Sequence, residues 1–219
     1  MPLGIIPAWM LIVYGLLSAA LIGVALWRMN KSVLKDLQQG MIIGATFIFL
    51  CGLYMLSAGV KPGMQVHFLG VMLSVMMFGP WLAIVLLSAV HLMLTFGFHV
   101  GAPETLGFNI ALSVLLPTAV AAGVHVFSYY KLPRTFPVYI IQVGIGDLLC
   151  MWAVDVALTL HLFAFTAYPS HEILQNFSLI LFMMGGMEAM ISTMLASLLV
   201  CFLPQALVTF SDEEYLHGK

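Results

Sequence analysis

Charge is what this sequence has least of. Seven Lys or Arg and nine Asp or Glu make up 7% of its 219 residues, while 63% are hydrophobic. A soluble domain runs at about 25% charged and about 45–50% apolar. A water-soluble fold of this length could not bury so much apolar surface, and the mean hydropathy of +1.10 agrees. The formal charge of −2 excludes a basic field for nucleic acid and a strongly acidic tail. Cysteine is scarce too: Cys51, Cys150 and Cys201 lie in apolar runs without CxxC spacing, which excludes a zinc knuckle or a disulfide framework. No G-x-x-x-x-G-K-[ST], H-E-x-x-H or G-x-S-x-G occurs, so the chain has no phosphate-cradling loop, zincin helix or nucleophile elbow. Ser170-His171-Glu172 is a bare loop tripeptide. The chain reads as no enzyme, and any energy from ATP has to come through another protein.

What is present is a succession of apolar runs near 9–27, 40–59, 65–78, 80–96, 106–128, 137–165 and 173–203. A spanning helix takes about 20 apolar residues, so the expected fold is an all-α, polytopic membrane bundle of about seven helices. The third run is short and is divided from the fourth only by Gly79-Pro80, so the two form either a tight hairpin or one broken element. The first run has no Lys or Arg ahead of it and exceeds the roughly 7–15 residues of a signal-peptide core; it reads as a first spanning helix rather than a leader. Without linker, low-complexity tract or strong repeat, residues 1–219 read as one membrane domain, with 204–219 as a short polar tail.

Basic residues set the expected orientation. Arg28, Lys31 and Lys35 follow the first run and Lys131 and Arg134 the fifth, while 97–105 and 166–172 hold none. Seven crossings with those loops cytoplasmic put the amino terminus outside and the tail inside, in a bacterial inner (plasma) membrane.

Ionisable side chains within spans cost about 2.5–3.5 kcal/mol at the helix centre on insertion scales and mark function by default. With that orientation His67, His91, His99, His161 and His171 collect on the outer side, along with Glu104 and Glu172, while His125 and His217 fall inside. Neutral imidazole suits Co, Ni, Cu and Zn, so His67, His91, His99 and His161 are candidate ligands of an outward-facing transition-metal site. The competing reading is that histidines favour interfaces because they are amphipathic. Asp147 and Asp155 on the sixth helix and Glu188 on the seventh either line a cation path or anchor neighbouring helices by hydrogen bonds. Met183, Met187, Met190 and Met194 share one helical face. Thioethers select Cu(I), whereas a methionine stripe is more often core packing.

Three motifs stand in a telling order: His67-Phe68-Leu69-Gly70 after Lys61-Pro62-Gly63-Met64-Gln65-Val66, then Phe78-Gly79-Pro80-Trp81-Leu82-Ala83, then Leu106-Gly107-Phe108-Asn109. The set resembles the CbiM/NikM-like cobalt/nickel-type substrate-specific membrane subunit of energy-coupling-factor (ECF) transporters, most closely over 60–115. The ending Thr209–Leu216 is similar to a bacterial branch of that family. The resemblance implies about seven spans, an outward amino terminus, a transition-metal ion (Co or Ni) as substrate, and separate ATPase and transmembrane coupling subunits as partners. It also implies a metal site in which a Met-His start chelates the ion together with a loop histidine, matched here by His67. This chain starts Met1-Pro2-Leu3, and proline has neither amide N–H nor imidazole, so that chelate is replaced or the substrate differs. The expected function is the substrate-binding membrane component of a transition-metal uptake system. The alternative is a non-transporting assembly or anchoring subunit of a larger membrane complex, with a link to copper through the methionines.

Overall fold

The computed structural model describes residues 6–61, 64–166 and 168–215, with backbone alone over 58–61 and 64–66. The helices are α1 (Ala8–Arg28), α2 (Leu37–Met55), α3 (Val71–Leu92), α4 (Leu106–Ile110), α5 (Leu116–Lys131), α6 (Phe136–Phe165), α7 (Ser170–Ile173), α8 (Leu179–Phe202) and α9 (Asp212–Tyr215). π-helical turns at Met93–Gly97, Ala111–Leu115 and Leu174–Ser178 extend α3, join α4 to α5 and join α7 to α8. A short antiparallel hairpin, β1 (Ala58–Lys61) with β2 (Met64–Val66), lies between α2 and His67. Among the described residues, six helical stretches are long and apolar enough to cross a bilayer. The membrane bundle is as expected.

Seven apolar runs became six stretches because α3 holds two of them, and it does not run straight. Gly79 has φ 75° and ψ 165°, a conformation open essentially to glycine, and Pro80 forfeits no helical hydrogen bond by starting the next helix. A straight helix would carry residue 91 about 36 Å from residue 67 at 1.5 Å per residue. The rings of His67 and His91 are 6.2 Å apart, so the chain reverses at Gly79. The half-helix 71–78 runs down through the core, and 80–92 runs back up beside it.

The descending half is only eight residues, too short to persist alone, and the rest of the bundle caps both of its ends. At its start, Glu188 Oε1 of α8 accepts from the backbone N–H of Leu69 (2.9 Å) and Gly70 (2.5 Å). Asp147 Oδ1 of α6 accepts from Met72 N–H (3.1 Å). These amides precede or open the first turn and have no intrahelical acceptor, and the helix dipole favours a carboxylate there. At its end, the carbonyl of Met77 accepts from Val208 N–H (3.2 Å) and that of Met76 from Thr209 N–H (3.3 Å). The acids Asp147 and Glu188 therefore anchor helices. Asp155 accepts from Thr159 Oγ1 of its own helix (3.1 Å) and from Ser178 Oγ just ahead of α8 (2.9 Å).

Segment 204–215, read from sequence as a polar tail, is docked rather than free. Phe210 and Tyr215 are buried and pack against Tyr139, each with ring centroids 5.0 Å from it. Glu214 pairs with Arg134 at 3.5 Å, and the Arg134 guanidinium lies 3.9 Å over the Tyr129 ring. Residues 216–219, including His217, lie outside the described residues. Arg28 at the end of α1 sits 5.3 Å over Trp81, next to the reversal. The Arg28 and Arg134 loops thus gather at the end of the bundle opposite His67 and His91. α1 is held against α4 by close backbone approach: Ser18 Oγ donates to the Gly107 carbonyl at 2.7 Å, and a Cβ on Gly107 would stand 2.5 Å from Gly15 Cα.

Candidate functional site

At the upper end of α3 the chain leaves β2 through His67-Phe68-Leu69 into Gly70, whose left-handed φ of 62° starts the descent. Glu188 grips the amides of Leu69 and Gly70, so the backbone two residues beyond His67 is pinned to α8. His67 Nδ1 lies 3.1 Å from the Phe68 carbonyl. A carbonyl only accepts, so Nδ1 carries the proton and Nε2 presents its lone pair. Burial holds the His67 pKa below its ordinary 6.5, against the opposing pull of that carbonyl. The ring is neutral at neutral pH.

His91, on the ascending half of α3, is buried, and its Nε2 has no hydrogen-bond partner among the described residues. Tyr54, from the last turn of α2, wedges beside both rings, with centroids 4.5 Å from His67 and 5.1 Å from His91. Its buried hydroxyl also lacks a partner among the described residues. These three side chains form part of the wall of a cavity of about 90 Å³. Ser57, Thr95, Asn109 and Ser113 add polar groups, and Phe108, Leu112 and Leu158 close it on the apolar side. A water occupies at least about 10–15 Å³ on the same kind of measure, so the space takes an ion with several waters. Buried polar atoms are normally paired, and here an unpaired imidazole nitrogen and an unpaired hydroxyl line the same cavity.

The four histidines singled out from sequence are not all gathered here. His67 and His91 are. His161 is packed between Phe108 and Phe165, at 4.9 Å from each, and does not line the cavity, although its Nε2 also lacks a partner among the described residues. His99 has a left-handed φ of 54° and an exposed side chain, and its neighbours Val100 and Gly101, not His99 itself, line the cavity. Among the described residues no cluster of three or more His, Cys, Asp or Glu could hold a metal ion. Met1-Pro2-Leu3 and the Pro62-Gly63 pair fall outside the described residues. Tyr54 and Thr95 were missed by sequence reasoning, because an aromatic at a helix end and a lone hydroxyl carry no periodic signal. Asn109 was visible only as part of Leu106-Gly107-Phe108-Asn109.

The methionine face does not turn inward. Met183, Met187, Met190 and Met194 are 64%, 55%, 73% and 60% exposed, so they face the bilayer side of α8. They form neither core packing nor a soft ligand set within the bundle. The reason is geometric: α8 turns Glu188, Ser192 and Ala196 toward the core, and the methionines occupy the opposite side.

The family described as the cobalt uptake substrate-specific transmembrane region, CbiM, matches residues 1–206. None of the curated proteins matches the chain in sequence. Two solved structures share the fold. A crystal structure of a truncated transition metal transporter aligns with TM-score 0.77 at 20% identity, covering 91% of this chain and 97% of that one. A crystal structure of a transition metal transporter aligns with TM-score 0.75 at 20% identity, covering 92% of each.

Proposed function

Since the chain belongs to the CbiM family of cobalt uptake substrate-specific transmembrane regions, we propose that it captures a transition-metal ion in the His67–His91 cavity. The observation that carries the reading is the pair of imidazoles 6.2 Å apart on one small polar cavity, with His91 Nε2 unpartnered. Neutral nitrogen donors, with no carboxylate among the described residues of the wall, suit Co, Ni, Cu or Zn better than Mg or Ca. Family membership favours cobalt or nickel, and the methionines of α8 lie outside the cavity. Two imidazoles cannot fill a metal's coordination sphere, so the ion keeps water in the remaining positions, for which the cavity has room. His99 and His161 take no first-sphere role in this reading.

In the cell the cavity end faces outward, because the basic loops gather at the other end and basic loops stay cytoplasmic. Separate ATPase and transmembrane coupling subunits supply the energy, as the family's way of working suggests, in a bacterial inner membrane. A second reading, a non-transporting partner subunit of a membrane complex, draws support from the lack of a three-donor cluster among the described residues.

Metal content and equilibrium binding of the purified protein in detergent separate the two. Stoichiometric cobalt or nickel is expected, and His67→Ala or His91→Ala should each weaken binding by at least the roughly 10–100-fold typical even of outer-shell changes. His99→Ala and His161→Ala should bind like the parent. A metal-free protein that co-purifies tightly with other membrane chains sinks the transport reading.

A further inference from the structure

We infer that the half-helix 71–78 is a coupling strut linking occupancy of the histidine cavity to the docking of segment 207–210 at the far end of the bundle. This rests on the reading of the cavity as an ion site.

All eight residues of the strut are buried, four of them with no accessible surface: Val71, Met72, Val75 and Met76. A close-packed rod of this kind does not compress. It spans about 12 Å at 1.5 Å per residue. At each end it meets a glycine with positive φ, Gly70 at 62° and Gly79 at 75°. Residues at element ends that accept large dihedral changes are what hinges consist of. Gly79 also has open space where a side chain would be.

Neither end is capped from within the strut. The upper amides are held by Glu188 and Asp147. The lower carbonyls are held by the polypeptide after α8. Thr209 Oγ1 donates to the Met76 carbonyl at 2.9 Å, which accepts Thr209 N–H as well. Its single hydroxyl proton is thereby committed, so the Tyr139 hydroxyl, 2.9 Å away, donates to Thr209 Oγ1. The strut is therefore wired to the Tyr139–Phe210–Tyr215 cluster.

His67 stands only two residues before the amides gripped by Glu188. An ion that draws the His67 ring toward His91 loads the backbone at 69–70. A rod rigid between two hinges passes that load to the Met76 and Met77 carbonyls. Glu188 is on this account a positioning residue for His67, and Thr209 reads the strut's other end. Coupling of this kind is reciprocal by linkage, so loosening the lower dock must weaken ion binding above.

The test uses the full chain in detergent micelles with cobalt(II) chloride or nickel(II) chloride. Saturating metal should slow hydrogen exchange across 204–212, on the side of the bundle away from the cavity. Thr209→Val should weaken cobalt binding by about fivefold or more, the lower range of allosteric couplings. Thr209→Ser, which keeps the hydroxyl, should restore it, as a purely steric role for the threonine methyl would not. Glu188→Gln, which keeps an acceptor for the two amides, should bind better than Glu188→Ala. Cobalt binding to the parent with unchanged exchange at 204–212, and a Thr209→Val affinity equal to the parent's, overturns the strut and leaves the ion site standing. A parent that binds neither metal removes the ion reading and the strut together.

Discussion

Replacing Glu188 by Leu tests how the core is held together. The carboxylate oxygen Oε1 accepts two backbone amides, from Leu69 at 2.9 Å and Gly70 at 2.5 Å. Both amides lie ahead of the first turn of 71–78 and have no acceptor of their own. Leucine nearly fills the volume, so the packing loss is small and the cost falls on two orphaned buried N–H groups. At about 1–3 kcal/mol each, that gives about 2–6 kcal/mol. Two effects lower it. Within bilayers, measured interhelical hydrogen bonds average only about 0.6 kcal/mol, because the unfolded reference also finds partners. Losing Glu188 also removes its coulombic repulsion with Asp147. A net loss of about 1–4 kcal/mol follows, against a typical total of about 5–15 kcal/mol. Glu188→Gln retains the acceptor and also relieves the repulsion, so it should stay within about 1 kcal/mol of the parent. Unfolding in mixed micelles titrated with SDS measures both. The reasoning fails if Glu188→Leu is as stable as the parent, or if glutamine is as damaging as leucine.

A pH titration of cobalt binding follows from the His67 environment. Burial lowers the pKa of that ring below 6.5, so the proton competes with metal only in more acidic solution than for a free histidine. Affinity should hold flat from pH 8 down to about 6.5 and fall below it, and half-loss at or above that value would refute the buried-neutral assignment. The same sign applies to the empty protein. The unfolded chain takes up the His67 proton first, so this group's contribution to stability is intact above about pH 6.5 and is lost on acidification. For Gly107→Ala the added Cβ meets the backbone of Gly15 at 2.5 Å. Backbone cannot swing aside as a side chain tip can, so α1 must shift outward, at a cost of about 1–3 kcal/mol. Gly123→Ala has open space and serves as the control in the same thermal melt; equal melting temperatures would contradict the close α1–α4 approach.

Composition and run length alone were enough to establish the solvent of this protein and the kind of element that crosses it. Only helices and closed barrels satisfy every backbone group in lipid, so runs of about 20 apolar residues leave one architecture. His67 could be picked out before any coordinates because its neighbours Phe68-Leu69-Gly70 and the Gly79-Pro80 break are contiguous signals. Other features depend on which residues meet across long separations. His91 joins His67 because the chain reverses at Gly79, and nothing local states whether such a break bends a helix or folds it back. Glu188 and Asp147 become helix anchors because a short helix starts in mid-bundle opposite them. His161 packs on Phe108 and Phe165 instead of lining the cavity, and the methionines are exposed, because the rotation of α6 and α8 about their own axes is set by packing. In a chain apolar on nearly every side, hydrophobic periodicity is too faint to reveal that rotation, and contacts between helices determine it.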